Sequence, residues 1–120
     1  MSWNITFDKV SRVVEATYSG TVTTPELQAG CAATLDVCRE HHTSLVLSDC
    51  SRLESGFSMV DLYDLARSVA TVPAFREAVL LPADSDALDA VRFWEVTATN
   101  RGVLVRLFKD RRQAIEWLKS

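Results

Sequence analysis

The sequence predicts an α/β domain: a mixed, mostly parallel five-stranded sheet with four helices in the order ββαβαβαβα. Three observations predict it. Trp3, Ile5 and Phe7 alternate with polar residues, and Val14, Ala16 and Tyr18 alternate again after a turn near Asp8–Ser11, which is the pattern of two half-buried strands in an antiparallel hairpin. From Thr24 onward, apolar residues at three- and four-residue spacing take turns with short apolar runs. Helix-capping and helix-stopping residues stand at the joints between the two patterns. The 120 residues suit one domain spanning 1–120 with a single core, and no linker, repeat or low-complexity tract divides it.

Ser19-Gly20 ends the second strand, and Thr24-Pro25 opens the first helix, threonine as N-cap and proline at the first helical position. Leu27, Cys31, Leu35 and Cys38 form its apolar stripe, and His41-His42 closes it. Leu45–Leu47 reads as a buried strand that leads through Ser48-Asp49-Cys50 into a polar loop. Ser58 caps a second helix carrying Met59, Leu62, Leu65, Ala66 and Val69, with Asp61 placed to complete a capping box and Pro73 as the stop. Phe75–Leu81 is the fourth strand. Asp84-Ser85-Asp86 caps a third helix whose inner face holds Ala87, Val91, Trp94 and Ala98, with Phe93 beside them and Asn100-Arg101-Gly102 at its end. Val103–Phe108 is the fifth strand, and Asp110 caps a last helix with Ala114, Ile115 and Leu118 turned inward.

Composition excludes several classes of function. Of 13 basic and 16 acidic residues, six basic and two acidic fall within residues 101–120, so the first hundred residues are acidic and the end is basic. No motif or aromatic-interleaved basic face accompanies that asymmetry, so nucleic-acid binding is not expected. The apolar runs are far shorter than the ~20 residues of a membrane span. Met1-Ser2-Trp3-Asn4 lacks the basic and apolar regions of a signal peptide, and the three cysteines, odd in number, read as reduced core thiols; both features predict a cytoplasmic protein.

The stretch from Ser44 to Val72 is the functional candidate, since α/β proteins place their groups on loops at the C-terminal ends of strands. Its chemistry does not specify a reaction. No base and orienting carboxylate stand ready for a nucleophilic serine, no Gly-x-Ser-x-Gly turn exists, and the four glycines form no phosphate loop. His41, His42, Asp49 and Cys50 match no zinc spacing. Catalysis, metal and cofactor are therefore not expected. Phe93, Trp94 and Trp117, with Phe57, Met59 and Tyr63, exceed what a minimal core needs, which points to a cleft for an apolar small molecule or to a homodimer face.

Three segments carry a family resemblance: Gly20-Thr21-Val22-Thr23 running into a helix, Leu45-Val46-Leu47-Ser48-Asp49 before a serine-capped helix, and Arg106-Leu107-Phe108-Lys109-Asp110 followed by Ala114-Ile115-Glu116-Trp117-Leu118. Together they resemble the SpoIIAA-like family, bacterial proteins related to the STAS domains of anti-sigma-factor antagonists, which share a fold with lipid-binding CRAL-TRIO domains. The resemblance implies a regulatory module that binds a kinase-like protein partner, with a phosphorylated serine at the start of the helix after the third strand. Ser58 is the matching position, with Asp49, Ser55 and Phe57 as neighbouring partner-binding or switch candidates. The usual Asp-Ser-Ser-Gly turn is replaced here by Glu54-Ser55-Gly56-Phe57-Ser58. The fold relation to lipid-binding domains makes Met59, Tyr63, Phe93 and Trp94 the candidates for contact with an apolar ligand.

Overall fold

The switches of apolar period along the chain become nine elements in the computed structural model, which describes residues 2–120. They are β1 (Trp3–Asp8), β2 (Val13–Thr21), α1 (Thr24–Glu40), β3 (Leu45–Ser55), α2 (Asp61–Val69), β4 (Arg76–Leu80), α3 (Ser85–Asn100), β5 (Leu104–Phe108) and α4 (Arg111–Leu118). The expected order of elements holds throughout. The strands lie in one sheet in the order β1-β2-β3-β4-β5, with β1 antiparallel to β2 and every other pairing parallel.

Right-handed crossovers that all step in the same direction leave α1, α2 and α3 on one face. There they cover a large core that includes Val14, Ala16, Tyr18, Val46, Cys50, Val79, Val91 and Val105. α4 packs on the opposite face against Val13, Leu47, Ala78 and Leu80 through its own Ala114 and Leu118. Strand alternation thus sorts neighbours onto opposite layers: Ser48 and Cys50 face α1–α3, whereas Leu47 and Asp49 face α4's side.

Three sequence expectations need correction. β3 does not give way to a loop at Ser48-Asp49-Cys50; it runs to Ser55 beside an equally long β2. Their parallel register extends from Val14↔Val46 to Thr21↔Ser55, with irregularities between Thr17 and Ser19 and between Gly20 and Thr21. Burial of Cys50 and Leu53 makes the extension worthwhile despite its polar sequence. Secondly, α1 is capped by Thr23, not Thr24: Thr23 Oγ1 accepts from the Glu26 amide, and Glu26 Oε1 accepts from the Thr23 amide, a complete capping box. Replacing Thr23 by Ala is expected to lower stability by about 1 kcal/mol, read as a shift of the urea midpoint.

Thirdly, Ser58 is not a helix cap. α2 begins at Asp61 behind Val60, with no side-chain cap. Before it, the amides of Asp61, Leu62 and Tyr63 donate to the carbonyls of Ser58, Met59 and Val60, so this turn closes with tighter three-residue bonds. Asp61 is committed elsewhere: its Oδ2 accepts from Thr24 Oγ1 at 3.0 Å, and Thr24 Oγ1 accepts from the Ser58 amide at 3.3 Å. The start of α1 therefore fastens the segment that leads into α2. Among the described residues, no helix is long and apolar enough to cross a membrane.

Candidate functional site

β4 is covered on both faces, and four of its five residues are buried. One of those four is Glu77. A carboxyl on a central strand normally has water on its face; here the face belongs to the α1–α3 layer, and Glu77 is only 8% exposed. Its register neighbours are Val46 on β3 and Val105 on β5. Two donors meet it. Ser48 Oγ, on β3, donates to Oε2 at 2.5 Å, and Trp94 Nε1, on α3, donates to Oε1 at 2.7 Å.

Burial drives the Glu77 carboxyl above its ordinary pKa, and the hydrogen bonds from Ser48 and Trp94 offset that only in part. Among the described residues, no arginine, lysine or histidine pairs with it. With no cation beside it, the carboxyl keeps its proton to higher pH than an exposed glutamate does.

Glu77 faces a cavity of about 90 Å³ that lies between the sheet and α1–α3 and is open in part to solvent. β2 contributes Tyr18, α1 contributes Cys31 and Thr34, and β3 contributes Ser48 and Cys50; α2 adds Leu62 and Leu65, α3 adds Trp94, and Phe57 comes from the β3–α2 segment. Among the described residues, no arginine, lysine or histidine lines it. Burial pushes the Cys31 thiol up to about 12 and raises Cys50 and the Tyr18 phenol as well, so these groups are neutral, unreactive walls. A wider, open groove of about 360 Å³ lies between α1 and α2, and Cys31, Leu35 and Leu65 line both spaces. Only side chains, therefore, separate the cavity from the groove.

Two glycines shape the enclosure. A Cβ on Gly30 would stand 2.8 Å from Tyr18 Oη and 2.9 Å from Cε1, so α1 passes over the tyrosine ring only because residue 30 has no side chain. Gly30→Ala is expected to push the Tyr18 ring toward the cavity. Strain on the order of 1–3 kcal/mol from overpacking would outweigh a gain of ~1 kcal/mol in helix propensity, leaving a modest net loss in thermal unfolding. Gly56 has φ +121° and precedes Phe57, which it turns into the core.

The sequence-derived candidates separate in space. Phe57 and Trp94 line the cavity. Met59 and Tyr63 do not; they are 41% and 46% exposed on the surface at the start of α2. Phe93 is half-buried and meets Tyr63 edge to face, with centroids 5.5 Å apart. Ser58 is exposed, and Ser55, with φ +80°, offers its carbonyl to the Val22 amide at 2.8 Å. Asp49 lies apart from all of them on α4's side of the sheet, where Oδ1 accepts from the Ser51 amide and hydroxyl. Near it, Arg111 forms a two-pronged pair with Glu15. His41, at the end of α1, stacks on Phe7 at 3.9 Å, far in role from any shared site with Asp49 and Cys50. Glu77, Ser48 and Tyr18 were not singled out by sequence reasoning; the available signal was a lone acid inside the apolar run Phe75–Leu81.

No family model matches the sequence, and no curated protein matches it. A solved structure does: an uncharacterized protein of the DUF3478 family with a SpoIIAA-like fold, from Shewanella loihica PV-4. It is 18% identical, with a TM-score of 0.64, over 97% of this chain and 91% of that one. The chain has the SpoIIAA-like fold.

Proposed function

We propose that this protein is a non-enzymatic binding module whose cavity takes up a small, mostly apolar molecule. The observation that carries this reading is the partly open space of about 90 Å³ beside Glu77, walled by apolar and aromatic side chains where a domain of this size would otherwise pack solid. It is smaller than the ~150 Å³ of an engineered cavity that holds benzene. With Phe57 in place, a ligand of only a few non-hydrogen atoms fits inside; a larger one extends past Phe57 or between Leu65 and Cys31. Native mass spectrometry of the protein purified from its own host tests the reading. A small-molecule adduct lost from a Leu65→Trp variant supports it, and an adduct-free mass in both proteins counts against it.

A second reading has its own support. Met59, Val60 and Tyr63 place exposed apolar surface on the segment around Ser58, and Val60 is 70% exposed. A regulatory protein partner meeting that surface, with Ser58 as an accessible hydroxyl for a phospho-switch, fits the arrangement. Val60→Asp should abolish capture of such a partner from host extract without lowering the melting temperature. Phe57→Asp is the poorer variant, because Phe57 packs against the core.

A further inference from the structure

Glu77 has the environment of one half of a buried ion pair. It is buried, fixed by two donors, and faced by no cation among the described residues. The same cavity brings Tyr18, Phe57, Phe75 and Trp94 to its walls. Aromatic rings around a carboxylate make up the chemistry that recognises organic ammonium ions, the rings through their quadrupoles and the acid through charge. An apolar cavity for neutral hydrocarbon would need no acid, and a buried acid left unmatched costs stability. From this geometry we infer that the cavity is a site for a small alkylammonium ion, its nitrogen at the Glu77 carboxylate and its alkyl part against the aromatic walls. The inference rests on the cavity being a binding site and names the class of its ligand.

A proton balance follows. Below its raised pKa, Glu77 in the free protein holds a proton, and the free ligand is an ammonium. In the complex the carboxylate is ionised, so one proton leaves the Glu77 carboxyl for solvent on binding. Binding therefore strengthens about tenfold per pH unit as pH rises, until the free protein has itself lost that proton or the amine begins to lose its own near pH ~10. The other groups facing Glu77 do not compete in that window. Cys31 and Cys38 are pushed up to about 12 and about 11, and Cys50 and Tyr18 are also raised. α2 presents Leu62 and Leu65, and β5 presents Val105, none of which titrates.

The test is calorimetric titration of the intact protein and of Glu77→Gln with n-propylammonium chloride and with 1-propanol, from about pH 4, near the ordinary glutamate value, to about pH 9. The expected result is ammonium binding that tightens with pH, releases a proton to the buffer, and weakens at least tenfold in the folded Glu77→Gln protein (~1.4 kcal/mol). Propanol binding equal to or tighter than the ammonium in both proteins would overturn the ammonium assignment while leaving the cavity a ligand site. Binding of neither probe would overturn both readings.

Discussion

Glu77→Gln is expected to stabilise the protein at neutral pH and to leave it unchanged in acid. The native carboxyl has a raised pKa, so the folded state holds its proton more tightly than the unfolded chain does. The sign follows from linkage. Between the ordinary glutamate value of about 4.3 and the raised folded value, the unfolded chain releases this proton and the folded protein does not. Each pH unit across that window therefore lowers the stability of the wild type by about 1.4 kcal/mol through this group. Glutamine does not titrate. Its amide can donate to Ser48 Oγ while its carbonyl accepts from Trp94 Nε1, so both contacts of the native side chain survive in reversed or equal sense. Urea unfolding near pH 4 should give superimposable midpoints, and at pH ~7 the midpoint of the variant should lie above that of the wild type. A variant less stable than wild type at neutral pH would mean that Glu77 is ionised in the fold and stabilised by groups other than those seen here.

The elements were legible in the sequence because their signals were local. Alternation at Trp3–Phe7, the stripe of Leu27, Cys31, Leu35 and Cys38, and the caps Asp84 and Asp110 all depend on neighbours a few residues away, and the structure uses each of them. β3 was read too short because its second half is stabilised by pairing with β2 rather than by its own residues: Ser48, Asp49, Ser51 and Arg52 are poor strand formers until a long partner lies beside them. The same limit hid the buried acid. Glu77 is distinguished by having both faces of β4 covered, a property of the assembled layers, and Ser48 and Trp94 reach it from 29 and 17 residues away. Phe57 was named both as a surface partner-binding candidate and among the aromatics in excess of a minimal core, and the structure turns it inward. Its inward turn is set by Gly56 rather than by anything in its own type.

That turn makes Gly56→Ala the most damaging single substitution expected here. Gly56 has φ +121°, in a region open to glycine and strained for any residue with a Cβ. Space forbids the methyl as well. A Cβ would stand 2.5 Å from Thr21 Cγ2 and 2.9 Å from the Val22 carbonyl oxygen, and the latter is backbone that cannot rotate away. Val22 is fully buried, and its amide is already tied to the Ser55 carbonyl at 2.8 Å, so relief has to come from moving the 55–58 segment outward. Such a shift would pull Phe57 from the cavity wall and strain the link from Thr24 to Ser58 and Asp61. Backbone strain of ~1–3 kcal/mol and a comparable overpacking cost together predict a loss on the order of 3 kcal/mol, a large part of the stability of a small domain. Thermal melts should show it directly. Faster hydrogen exchange confined to the β3–α2 segment and the first turn of α1 would show that the damage begins where Phe57 closes the cavity, whereas an undisturbed melt would mean that this segment is not held against Val22 at all.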